Sequence, residues 1–101
     1  MTRKFEPGCR RMTYRIHAVR QMFQRHISEQ DVRAALTKGE VIEEYADDNP
    51  YPSYLVFCIV KSRPLHVVVA YNNVDREAIV ITAYEPDPQV WENDFQRRKK
   101  P

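Results

Sequence analysis

A chain of 101 residues, 43% hydrophobic and 30% charged, has room for one domain with a single core, and that makeup excludes a fibre, a disordered chain or a second domain. No apolar run approaches membrane-spanning length, and Met1 to Gly8 has no apolar stretch behind its charges, so the sequence predicts a cytoplasmic protein with no membrane partner. The net charge of +2 conceals a split: residues 1–39 carry nine Lys and Arg against three Asp and Glu, residues 40–96 carry three against eleven, and residues 97–100 are all basic.

Residues 1–12, with Pro7-Gly8 among basic and small residues, read as an irregular basic leader. From Thr13 the pattern turns helical, with Ile16, Val19, Phe23 and Ile27 at helical spacing and Ala18 and Met22 widening the stripe, which predicts a helix buried on that face. The helix should break near His26. Ser28 is a good N-cap and Asp31 stands three residues on, so a second helix begins there, turns Val32, Ala35 and Leu36 inward, and ends at Gly39 in the left-handed conformation.

After Gly39 the hydrophobic period changes to two. Glu40–Tyr45 reads as an edge strand, Asp47–Pro52 as a loop, Tyr54–Val60 and Leu65–Tyr71 as the central strands, and Glu77–Tyr84 as the last. Gln89–Phe95 reads as a short C-terminal helix whose Trp91 and Phe95 cap the core, and residues 97–101 as a solvated, disordered basic tail. The expected architecture is α+β, with two N-terminal helices on one face of a four-stranded antiparallel meander, and residues 13–96 as the domain.

Cys9 and Cys58 fit no metal spacing and no disulfide framework. The three histidines are not at ligand spacing, and with only Gly8 and Gly39 in the chain there is no glycine-rich phosphate loop, so neither a metal nor a nucleotide cofactor is expected.

Chemistry then falls to a row on the first helix. His17, Gln21 and Arg25 lie at i, i+4 and i+8 on one face with Arg20 beside them, so an imidazole that moves a proton stands in line with a guanidinium that holds a phosphate. The same row also suits a plain solvated helix face. His66 interrupts an apolar strand and needs a cleft or a hydrogen-bond partner, while Thr82 and Tyr84 share a face of the last strand, where Tyr84 can stack on a base, donate to a phosphate or pack half-buried.

The run His17-Ala-Val-Arg-Gln-Met-Phe-Gln-Arg-His-Ile-Ser28, then Val32, Gly39-Glu-Val-Ile-Glu, Arg63-Pro-Leu-His-Val-Val-Val-Ala70, and Thr82-Ala-Tyr-Glu-Pro-Asp87 with Trp91, resembles the domain-of-unknown-function 4258 family over about residues 14 to 95. The family's helix usually reads His-Ala-x-x-Arg-Met-x-x-Arg-Gly-Ile-Ser, and this chain has Gln21 in place of the middle arginine and His26 in place of the glycine. The resemblance implies a looser one, to small α+β folds that include RelE-like toxins, barnase and colicin-type ribonucleases. Many of these cut RNA without metal, by general acid/base attack of the ribose 2′-OH on its own phosphate. Carried over, His17 would transfer the proton, Arg25 would hold the phosphate, and His66 or Tyr84 would act as second donor or orienter. Arg20, Gln21, Arg63 and Thr82 complete the expected substrate contacts.

Three readings follow: a toxin-type ribonuclease held by an antitoxin that neutralises its basic helical end, a catalytically inactive relative that binds RNA or protein through the same face, or a plain structural or interaction module.

Overall fold

The computed structural model describes residues 4–5 and 11–100. Its elements are β1 (Arg11–Tyr14), α1 (Ile16–Gln24), α2 (Glu29–Lys38), β2 (Glu40–Tyr45), β3 (Ser53–Val60), β4 (Arg63–Asn72) and β5 (Glu77–Tyr84). The fold is α+β, two helices with one five-stranded mixed sheet in the order β1-β5-β4-β3-β2. Strands β2 to β5 form the expected antiparallel meander. The fifth strand corrects the expected count: β1 lies parallel to β5, Arg11 opposite Glu77 and Tyr14 opposite Val80, so part of the supposed leader and the supposed start of the first helix are strand.

The first helix ends where the sequence placed its break. His26 has a φ of 55°, and its N–H bonds back to the Phe23 carbonyl while that of Ile27 bonds to the Met22 carbonyl. This paired reversal closes a helix through one left-handed residue. Ser28 and Asp31 then form a full capping box, each side chain accepting from the other's backbone N–H at 3.0 Å.

Gly39 departs from expectation. Its φ of −78° is extended rather than left-handed. The glycine is needed for proximity instead, because a Cβ there would lie 2.3 Å from the Ala35 oxygen and 2.7 Å from the Phe57 oxygen.

The main core fills one face of the sheet, where Ala18 and Met22 of α1 and Val32, Ala35 and Leu36 of α2 meet Val56, Val67, Val69 and Val80. The expected burial of the stripe holds for Ala18, Met22 and Ile27 and fails for the rest. Ile16, Val19 and Phe23 are 73%, 51% and 84% exposed. α1 packs along β5, an outer strand of the meander, so only the narrow side carrying Ala18 and Met22 is covered. Periodicity identifies an apolar stripe and cannot say what covers it.

The opposite face of the sheet carries Leu55, Phe57 and His66, and the chain after β5 folds over them. No helix forms at 89–95. Asp87 and Asp94 draw nearby backbone N–H groups into turns, Trp91 bridges to Arg98, and the Lys99 N–H reaches the Val90 carbonyl. Trp91 does cap this face, at 3% exposure. Residues 97–99 are part of that cover, with Arg98 paired to Glu43 of β2. Among the described residues no helix is long and apolar enough to cross a membrane.

Candidate functional site

β1 protects the outer edge of β5 only as far as Val80, whose carbonyl accepts the Arg15 N–H at 3.1 Å. The chain then turns into α1, which leaves the rest of that edge to side chains. A bulge at Ile81 shifts the register there. The Thr82 hydroxyl donates to the Gln21 amide oxygen, the Gln21 amide lies 2.8 Å from Nε2 of His17, and Arg25 Nη1 donates to the Ala83 carbonyl at 2.9 Å. The predicted row therefore runs along β5 and covers an edge that would otherwise offer unpaired backbone groups.

Gln21 thus joins Thr82 of β5 to His17 of α1, and its amide lies against Nε2 of an imidazole that is itself exposed. The glutamine that stands where the family pattern has arginine thus serves as a strap between α1 and β5.

His66 lies elsewhere and is 0% exposed. Its Nε2 donates to the Phe95 carbonyl at 2.7 Å, and Nδ1 is buried without a hydrogen-bond partner. Trp91, Tyr84 and Phe57 stand edge-on around the ring at 4.5, 5.4 and 5.9 Å. Burial holds the imidazole below its ordinary pKa, against the opposing pull of the Phe95 carbonyl and Glu43, so it stays neutral at pH 7. Sealed under Trp91, it is closed to solvent, where the resemblance implied His66 or Tyr84 as second donor or orienter.

Arg63 is also drawn away from substrate contact. Its guanidinium donates to the carbonyls of His26 at 2.7 Å and Arg25 at 3.0 Å and pairs with Glu85 at 3.0 Å, tying the end of α1 to the sheet. A cation suits the negative end of a helix. Arg20 is exposed on α1, one turn from His17 on one side and from Ile16 and Phe23 on the other.

What the structure brings together is Arg25, Tyr84 and Arg98. They line one open cleft of about 610 Å³ with Glu85, Asp87, Val90 and Trp91. Burial raises the Tyr84 pKa, so its hydroxyl keeps its proton, and no hydrogen bond engages that hydroxyl among the described residues. Arg25 has no ion pair among the described residues. Arg98 grips Glu43 through two nitrogens, at 3.0 and 3.3 Å, with its guanidinium 4.6 Å above the Trp91 ring. Burial works to raise the Glu43 pKa, but hydrogen bonds from Arg98 and Tyr45 outweigh it and keep the carboxylate ionised. Sequence reasoning passed over Arg98 as one of four basic tail residues, because its partner Glu43 is 55 positions away. No three His, Cys, Asp or Glu side chains converge to hold a metal ion among the described residues.

A two-helix α+β domain with this row along the part of β5 that β1 leaves uncovered is the class that the geometry defines. Residues 14–85 match the family described as domain of unknown function DUF4258. The chain belongs to that family. No match was found among curated proteins or among solved structures. Arg25, Tyr84 and Glu85 of the cleft fall inside the matched region, and Val90, Trp91 and Arg98 fall outside it.

Proposed function

We propose that this domain binds single-stranded RNA by its phosphates, as a binding module that does not cleave, with Arg25 and Tyr84 as the contacting groups and Arg98 as the far wall of the cleft. The observation that carries this reading is the convergence of Arg25, Tyr84 and Arg98 from α1, β5 and the C-terminal segment on one open cleft. A guanidinium without an ion pair and a phenol that stays protonated are two donors suited to a phosphate, and an aromatic wall suits a base. Glu85 is held by Arg63, and Glu43 by Arg98, so those two carboxylates are already partly compensated.

Binding without cleavage is favoured over the ribonuclease reading because His66 is sealed and His17, bonded to Gln21, does not line the cleft that holds Arg25 and Tyr84. General acid/base cleavage needs both partners within reach of the reacting atoms. The test is titration of a short labelled single-stranded RNA, with strand integrity followed on a gel. Arg25→Ala should weaken binding about tenfold or more, as expected for loss of hydrogen bonds from a charged group worth about 1.5–3 kcal/mol, and the RNA should remain intact. Binding indifferent to Arg25→Ala contradicts the reading, and so does strand scission abolished by His17→Ala.

A further inference from the structure

No described residue covers the apolar face of α1. Ile16, Val19 and Phe23, at i, i+3 and i+7, form one stripe on the side of the helix away from Ala18, the residue packed against the sheet. Scattered exposed hydrophobes are ordinary, but a contiguous stripe on one short helix marks a contact surface. The stripe leads into a pocket of about 260 Å³ lined by Tyr14, Val19, Met22, Phe23 and Ile27, with Glu29 at its rim. Helix recognition commonly works this way, with apolar anchors at helical spacing laid in a groove.

Charge decides which partner fits. Between Pro7 and Ser28 the chain carries five arginines and no carboxylate. Glu29, at the end of the groove, is held by Arg33 at 3.1 Å. Arg15 precedes the stripe, and Arg20 stands one turn from both Ile16 and Phe23. A second copy docked symmetrically would set these arginines against themselves, a like-charge juxtaposition that opposes pairing. An anionic membrane surface would meet the charge but has no use for the pocket.

We propose that this face is the docking site for an acidic amphipathic helix of another protein, whose apolar anchor enters the pocket beside Phe23 while flanking carboxylates pair with Arg15 and Arg20. This surface lies on the opposite side of α1 from the Arg25 cleft, so the proposal stands apart from the RNA reading.

The experiment is selection from a displayed library of helical peptides, each with a fixed apolar stripe at i, i+3 or i+4, and i+7 and randomised flanking positions, against the full chain. Phe23→Ser serves as counter-selection; because Phe23 is 84% exposed, that variant keeps the core intact. Enrichment of Asp and Glu in the flanks, with affinity reduced at least tenfold in Arg20→Glu, is the expected result. Retention of no peptide, or enrichment of neutral or basic flanks, overturns the proposal. It is equally overturned if sedimentation shows a dimer that Phe23→Ser dissociates, or if Phe23-dependent binding is seen with phosphatidylserine vesicles and with no peptide.

Discussion

His26 occupies a position where the backbone asks for glycine, and the family pattern has glycine there. Its φ of 55° is costly for a side chain with a Cβ, and the side chain is exposed and gains nothing that offsets the cost. His26→Gly should stabilise the domain by about 1 kcal/mol, measured as a raised urea midpoint at unchanged slope. His66 makes the opposite case, a polar group that the fold encloses. Its native pKa lies below the unfolded value of 6.5, so the unfolded chain binds the extra proton as pH falls through that value. Stability should therefore be level above about pH 7.5 and decline from about pH 7.5 to 5.5, and His66→Gln should flatten the decline. The carboxylates with shifted values, Asp31, Glu43 and Asp94, are all displaced downward and titrate below this window. The sequence marked His66 as exceptional because it breaks an apolar strand, and the structure resolves the exception as burial against Phe95 and Trp91.

Among the elements, the strands β2 to β5 were legible because each alternates between the helical core on one face and the C-terminal cover on the other, and Ser28 with Asp31 announced α2. β1 was not legible. It is four residues long, half of them exposed, and its partner strand begins 66 positions on, so it leaves no local pattern. The segment after Tyr84 departs from expectation for a related reason: Trp91, Glu92 and Phe95 suit a helix turn, but the chain doubles back, and the Glu92 and Lys99 N–H groups pair with the Arg97 and Val90 carbonyls. Gly39 was read correctly as the end of α2 and for the wrong cause. The helix C-terminus is pressed against the Phe57 backbone, so Gly39→Ala should destabilise by about 2 kcal/mol through overpacking against oxygens that cannot move aside. A left-handed glycine would give its penalty through strain instead, and a crystal structure of the variant would separate the two by showing α2 displaced from β3.

At the scale of the whole molecule, α1 separates two surfaces. One side presents Arg25 to the cleft shared with Tyr84 and Arg98, and the other presents Ile16, Val19 and Phe23 outward. Half of the candidate site was visible in the sequence, since Arg25 and Tyr84 were both singled out. The remainder depends on the C-terminal segment folding back across the sheet, which brings Arg98 beside residues that precede it by more than fifty positions. The +6 of residues 1–39 and the −8 of residues 40–96 also interlock more than their separation suggests, through Arg11 with Glu77, at 3.5 Å, and Asp31 with Lys61, at 3.4 Å. The central claim is that Arg25 meets a phosphate. It is tested most directly by the salt dependence of single-stranded RNA binding, because each phosphate neutralised contributes about −0.7 to the slope of log K against log salt. The wild-type slope should be about −0.7 or steeper, and Arg25→Ala should make it shallower by about 0.7. A flat wild-type response, or equal slopes for the two proteins, would contradict the account.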